Sequence, residues 1–570
     1  MVFRLKETWK RRWKDLLAAL FFTVLLSLPY LTKDLLPVEH DTFFHVSRIE
    51  QLSRSIQEGH FFPAVYPYEN NGYGYASPLF YSDFFLIIPA LIHLCRVPVS
   101  VCYKLSVFIA SYFSAYTMIL LADRISHNRM VSWLAGAAYV FSNYHITDIY
   151  VRGAFGEVLA FVFLPVILLG FYEIMDEGNC GKWKTLCLGI AATALSHNLT
   201  FLMSAFLLAI LFFISYPKWT MEKVSAVTKA VILAFFLTCF FTLPMLEQLK
   251  SQDLIVSYYG ETSDLSSGSM NLWQYFVNRT VFGFSGNNLP HDQTMTVNVG
   301  WFLTFAPLSW FFVKKEYRKE HSFVTIMAIL GYICLLLPGS WMPWRSLNFL
   351  KVMQFPWRFN TMTITLLSVP AAIGICSLLK KKGFHLIILS LLCVECIYHV
   401  LPVEQRTFGI TPDMTWQDIL HGKICDPYYS ASYIRVELAG GDYLPVSSPD
   451  FRDRSTDIKD GDDQDLGIEY SKNGTTMSFT VPDKYTGEDL ILPLTWYKGY
   501  QVYHLKNGDM KKVPTFENHE GMVTFTVEEE GTYMCMYEDT PLRRICILIS
   551  WAALIVLVTD VLRDLNHKLD

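Results

Sequence analysis

The sequence predicts a polytopic α-helical membrane protein with a β-rich extracytoplasmic segment before its last span. Three observations predict it. Of 570 residues, 52% are hydrophobic and only 17% charged, against roughly 25% charged in an ordinary soluble domain. Apolar runs of about 17–25 residues, each long enough to cross a hydrocarbon core of about 30 Å, recur from Leu16 almost to Asp570. Between Leu401 and Arg543 those runs give way to polar–apolar alternation with Gly, Asn and Pro between the segments. The net charge of −5 averages faces of different character, so no nucleic-acid partner is expected.

The basic start (Arg4, Lys6, Lys10, Arg11, Arg12, Lys14) has no small-residue cleavage site after it, so Leu16–Leu31 reads as a retained span. Lys and Arg in the short loops then orient the chain. Val101–Leu121 returns to Arg124 and Arg129, Val131–Ile146 leads out, and Val158–Tyr172 returns to Lys182 and Lys184. A short span ends at Ser196-His197-Asn198, Leu199–Tyr216 returns to Lys218 and Lys223, and Val224–Leu246 leads to an external loop ending at Gly300. Trp301–Val313, Phe323–Leu337, Phe359–Leu379, Phe384–Val400 and Ile545–Val561 complete roughly twelve spans, with every basic cluster on one side. Both termini are expected in the cytoplasm of a plasma-membrane protein. Phe80–Val97, with Asp83, His93, Pro89 and Pro98, would reverse that sidedness if it spanned, so it reads as an interfacial helix.

Three regions are expected: a transmembrane domain over 1–400 with a first external loop at 34–100, an extracytoplasmic β-sandwich-like domain over 401–543, and a last helix and tail over 544–570. The strand signals are clearest in Thr476–Val481 and Met522–Val527. The acidic stretch Asp457–Asp465 lacks calcium-loop spacing and reads as a solvated loop. Cys393 and Cys396 lie inside a span as small buried hydrophobes, while Cys425 and Cys535 share the soluble segment, where they are free to pair.

Candidate chemistry gathers at one edge of the membrane. Asp41 stands in Glu39-His40-Asp41-Thr42-Phe43-Phe44-His45, with Arg48 two turns along the same helix face. This set reads either as a carboxylate general base with His40 and His45 sharing or tuning a proton, or as Asp41 capping a helix N-terminus. Arg152-Gly153-Ala154-Phe155-Gly156-Glu157 has glycines that admit close backbone approach. Its Arg152 and Glu157 suit a phosphate grip with a carboxylate partner, or an ion pair closing a turn. Arg358, in Gln354-Phe355-Pro356-Trp357-Arg358, suits a lipid-linked phosphate or an interfacial anchor. His197 stands at the same outer edge, as does the aromatic stretch Tyr73–Tyr81.

These motifs, in this order and sidedness, resemble the YfhO-like bacterial membrane proteins within the GT-C glycosyltransferase superfamily. The likeness extends to Pro493-Leu494-Thr495-Trp496-Tyr497-Lys498-Gly499-Tyr500. Some members of that group are called "6-pyruvoyl-tetrahydropterin synthase-related", yet such a synthase needs a zinc-binding histidine cluster in a compact soluble fold, and the sequence offers neither. The resemblance implies a GT-C-like fold and transfer of a sugar from a polyprenyl-phosphate carrier to an envelope polymer or lipid acceptor. It makes Asp41 and Glu157 the catalytic carboxylates and His40, His45, Arg48, Arg152, His197 and Arg358 substrate-binding. No cofactor is expected; some relatives use a divalent metal, for which no ligand spacing is present. The rival readings are a flippase of lipid-linked saccharides, whose sites lie near the bilayer midplane in repeated halves, and a non-catalytic glycan-binding envelope protein.

Overall fold

In a computed structural model the chain is described over residues 2–262, 264–407, 409–420, 441–451, 454–506 and 508–566. Among them six helices are long and apolar enough to cross a membrane: Val99–Ser126, Phe155–Met175, Met221–Leu249, Pro356–Leu378, Lys382–Gln405 and Pro541–Asp564. Phe84–Leu94, Asn198–Ile214, Trp301–Phe312 and Ser322–Leu336 are apolar but shorter.

The other expected spans are short, broken or charged at one end, each for a local reason. Val131–Ile146 splits into the helices Arg129–Val140 and Asn143–Tyr150, because Ser142 turns to extended backbone and occupies the N-cap of the second. Trp301–Val313 begins as a five-residue α-helix and continues as a 3-10 run from Ala306, with Pro307 in its first turn. Phe84–Leu94, at about 1.5 Å per residue, covers only about half of a hydrocarbon core, in keeping with an interfacial placement.

The first external loop is built on the helix Thr42–Gln57. Val46, Ile49, Leu52 and Ile56 recur at helical spacing and are all buried. They pack this helix against the helices Ile87–Leu94 and Val99–Ser126. A two-stranded antiparallel pairing, Leu36↔Ile410 and Pro37↔Gly409, ties the start of this loop to the chain beyond Lys382–Val400.

The expected β-rich segment is present before the last helix. Tyr470–Asn473, Thr476–Val481, Gly531–Tyr537, Tyr500–Lys506 and Asp509–Val513 form one five-stranded sheet in that spatial order. Asp489–Thr495, Met522–Thr526 and Thr515–Glu517 form a three-stranded one. Alternation puts Met477, Phe479 and Val481 of the first sheet and Leu490, Val523 and Phe525 of the second into one core. That core also takes in Ala64, Val65, Ala76, Leu79 and Phe80 of the first external loop, so the sheets and the loop share a single buried apolar surface. Within Asp457–Asp465 the acidic side chains are largely exposed, while Lys459 is buried and pairs with Asp463 and Asp465. Cys535 is a buried free thiol; Cys425, with which it is free to pair, lies outside the described residues.

Candidate active site

Asp41 occupies the N-cap position of Thr42–Gln57, but its side chain makes no capping hydrogen bond. Its backbone N–H donates to the Arg152 carbonyl at 2.7 Å, which fastens the helix start to the loop 152–157. The carboxylate is left exposed. It lies close enough to act electrostatically on Arg152, Arg358, Tyr81 and Tyr103.

Two glycines make that approach possible. Gly153 has φ +62°, and a Cβ there would stand 2.2 Å from Thr42 Oγ1 and 2.7 Å from Thr42 N. A Cβ on Gly156 would stand 1.7 Å from the Tyr81 hydroxyl and 2.8 Å from the Ser196 carbonyl. Only hydrogen at these positions lets the Asp41 helix, Tyr81 and the Ser196-His197 turn close on one loop.

Arg152 is buried and held by protein groups. Its Nη1 donates to Asp148 Oδ1, to Glu157 Oε2 at 2.7 Å and to the Tyr144 hydroxyl at 3.4 Å, and the guanidinium lies 4.6 Å from the Trp357 ring centroid. Glu157 Oε1 accepts from Tyr144 at 2.8 Å and from Thr361 Oγ1 at 2.5 Å. The pair that closes the turn is therefore present, enlarged by Asp148 into a buried network of two carboxylates and one arginine. Removing one partner from such a network leaves an uncompensated buried charge, worth about 3–5 kcal/mol.

Arg358 differs. It is 7% exposed, and Nη1 donates to the Met353 carbonyl at 3.1 Å and Gln354 Oε1 at 2.6 Å. Its Nε has no partner, and it makes no ion pair among the described residues. Gln354, which holds it, sits at φ +62°, a strained conformation for a residue with a Cβ. The Phe355 and Trp357 rings lie 5.3 and 5.7 Å from the guanidinium carbon. A buried cation with an orphaned donor beside aromatic faces is a ready receptor for an anionic oxygen.

The remaining expected residues divide. Arg48 donates through Nε and Nη2 to Asp83 at 3.0 and 2.6 Å, and through Nη2 to the carbonyls of Tyr81 and Ser82 at 3.0 and 2.8 Å. Asp83 also accepts from Tyr66 at 2.6 Å. Arg48 thus braces the external loop. His45 is buried against Arg48, at 3.3 Å from Nη1, and its pKa is driven well below the usual histidine value by burial and by that cation, so it stays neutral. His197 Nδ1 accepts from the Thr200 backbone and lies 2.8 Å from Thr200 Oγ1. His197 caps its helix, and its ring lies 6.0 Å from Tyr81. His40 stacks on Phe284 at 5.0 Å on the exposed side.

The structure also brings in residues that the sequence reading missed. Tyr144 and Thr361 fall inside expected apolar spans and Asp148 just past the end of one, although the four-residue spacing from Asp148 to Arg152 is a helical ion-pair signal. Asp442, far along the chain, is exposed and acts electrostatically on the same ground as Asp41 and Arg358. No local pattern announces it.

No protein-family model matches the chain. An uncharacterized protein of Lactococcus lactis subsp. cremoris (strain MG1363) is 25% identical over 242 residues, which is 41% of this chain and 39% of that protein's own length. Among solved structures, the archaeal oligosaccharyltransferase AglB from Archaeoglobus fulgidus, in complex with an inhibitory peptide and a dolichol-phosphate, is 12% identical. That match covers 72% of this chain and 58% of the other, with a TM-score of 0.41. Likeness at that level leaves the chemistry to the residues of this chain.

Proposed function

We propose that this protein is a GT-C-like membrane glycosyltransferase that moves a sugar from a polyprenyl-phosphate carrier to an envelope polymer or lipid acceptor at the outer face. The observation that carries this reading is the presence, within electrostatic reach of each other, of an exposed Asp41 carboxylate that makes no capping bond and a buried Arg358 that has no ion pair among the described residues. Asp41 acts electrostatically on Arg358, more than three hundred positions along the chain, and its helix start is fastened to the Arg152–Glu157 loop.

The chemistry follows from these groups. Asp41 takes the proton of an acceptor hydroxyl as its oxygen bonds to the anomeric carbon. The bond from that carbon to the phosphate oxygen breaks, and its electron pair stays on the phosphate. Arg358 neutralises that developing charge from a fixed position, where reorganisation is small. Arg152, Asp148 and Glu157 set the loop that carries the Asp41 helix, so they position rather than touch the reacting atoms. A general base alone contributes about 10²–10⁴-fold in rate.

Purified protein in nanodiscs, given synthetic polyprenyl-phosphate hexoses and crude envelope acceptor, tests the reading. Wild type is expected to transfer label. Asp41→Asn is expected to bind carrier and lose about 10²–10⁴ in rate, and Arg358→Gln to lose carrier binding itself. Equal transfer by Asp41→Asn overturns the assignment of the base.

A further inference from the structure

A buried indole N–H ordinarily finds an acceptor. Trp310 and Trp344, both buried, follow that rule, donating to Thr325 Oγ1 at 3.0 Å and to the Gly339 carbonyl at 3.2 Å. Trp357 breaks it. It is 2% exposed, and among the described residues it is the one tryptophan whose buried Nε1 has no hydrogen-bond partner. A role as interfacial anchor does not explain this, because a tryptophan at the membrane surface keeps its N–H end wet.

The neighbours of the ring hold it in place. Phe355 stacks on it with centroids 4.9 Å apart and planes 12° from parallel, and the Tyr144 ring stands 6.0 Å away. The guanidinium carbons of Arg152 and Arg358 lie over the same ring, 4.6 and 5.7 Å from its centroid. Arg152 is neutralised by Asp148 and Glu157, whereas Arg358 makes no ion pair among the described residues and its Nε also lacks a partner. Two consecutive residues thus carry buried donors without acceptors, one on a ring and the other on a guanidinium over that ring. They stand at the N-terminal end of the helix Phe359–Leu378, where the backbone dipoles favour an anion. A ligand that meets both donors needs more than one acceptor oxygen on a single anionic centre, as a phosphate has.

We propose that Trp357 is a substrate-binding residue, its indole N–H donating to one oxygen of the carrier phosphate while the Arg358 guanidinium holds another. This rests on the transferase reading above and adds a neutral donor to it. The two donors differ in kind. Arg358 supplies charge, which draws any anion. The indole N–H supplies direction without charge, so it fixes the orientation of the phosphate. In the free protein the N–H is buried without a bond, and binding removes that penalty.

The test is equilibrium binding of undecaprenyl phosphate and of undecaprenol to the full chain in nanodiscs, for wild type, Trp357→Phe, Trp357→3-benzothienylalanine and Arg358→Gln. The benzothienyl analogue keeps the bicyclic volume and lacks the N–H. Both Trp357 variants are expected to bind undecaprenyl phosphate about tenfold more weakly, the factor one hydrogen bond to an anion gives, and to bind undecaprenol as wild type does. Without lipid, the analogue's unfolding midpoint is expected to be no lower than wild type, since a donor with no acceptor contributes no bond. Inorganic phosphate at the lipid's concentration is expected not to displace it; displacement assigns the donors to free phosphate and overturns the carrier role. Unchanged affinity of the analogue for undecaprenyl phosphate, with binding still dependent on Arg358, overturns the role of Trp357 alone. Equal weakening toward undecaprenol does the same, because the ring then serves only to pack against the isoprenoid. A lower lipid-free midpoint of the analogue also overturns it, because the N–H is then already bonded. Binding indifferent to Arg358→Gln overturns the transferase site and this proposal with it.

Discussion

At Arg152 the guanidinium donates to Asp148, Glu157 and the Tyr144 hydroxyl, whereas at Arg358 its hydrogen-bond acceptors among the described residues are a carbonyl and the Gln354 amide oxygen. Both arginines are buried, so the difference lies in their partners. Arg152→Gln leaves two buried carboxylates without their cation and is expected to cost about 3–5 kcal/mol, seen as a large fall in the unfolding midpoint in detergent. Arg358→Gln removes a charge that pairs with no carboxylate among the described residues, so its unfolding midpoint is expected to stay close to wild type while carrier binding is lost. Gly156 supplies a second contrast. Gly156→Ala drives a methyl into the Tyr81 hydroxyl and the Ser196 carbonyl, and its expected cost is about 3 kcal/mol. Adding Tyr81→Phe removes the hydroxyl but leaves the ring Cζ, 2.6 Å from the added Cβ, and the Ser196 carbonyl, so thermal unfolding of the double variant is expected to recover only part of the loss.

The Thr42–Gln57 helix takes part in a pH-dependent contact through Ser47. Glu69 is 4% exposed and accepts a hydrogen bond from Ser47 of this helix. Burial outweighs that bond and raises its pKa from 4.5 to about 7. The unfolded chain loses the proton near 4.5, while the folded chain keeps it until about 7. Between those values unfolding releases a proton, so stability falls as pH rises, and above them the full penalty remains. Its size is on the order of 3 kcal/mol. Glu69→Gln is expected to gain most over wild type at about pH 8 and little at about pH 4.5, as read by thermal unfolding at the two values.

At the scale of the whole molecule, hydrogen bonds and a shared apolar core join the β-rich segment to the first external loop. Lys472 of the sheet edge donates to the Pro67 carbonyl at 3.0 Å and to the Gly72 carbonyl, while Asn71 Nδ2 reaches back to the Phe451 carbonyl at 3.2 Å. Arg543, at the start of the last helix, donates to the Phe62 carbonyl at 2.9 Å. These bonds frame the hairpin that leads into Tyr73–Tyr81, and through Tyr443 they reach Asp442. Lys472→Met is expected to speed hydrogen exchange in 66–75, and to leave exchange in the sheet interior at Val502 and Val523 unchanged.

Composition and period by themselves determined that this is a multi-span helical membrane protein with a β-rich segment before its last helix, because apolar length and two-residue alternation are local properties of the chain. They also marked Asp41, Arg152, Glu157 and Arg358, since charges at the ends of apolar runs stand out against their neighbours. Pairing is not local. That Asp148 joins Arg152 depended on Ser142 breaking an apolar run into two helices. That Arg48 braces Asp83 while Arg358 lacks a carboxylate partner among the described residues depended on which loops fold over each guanidinium. Tyr443 stacks on Phe80 only because a shared apolar core docks the sheets on the first external loop. Charge and hydrophobicity are written residue by residue, whereas the partner of a buried charge is set by packing, and only the tertiary structure decides it.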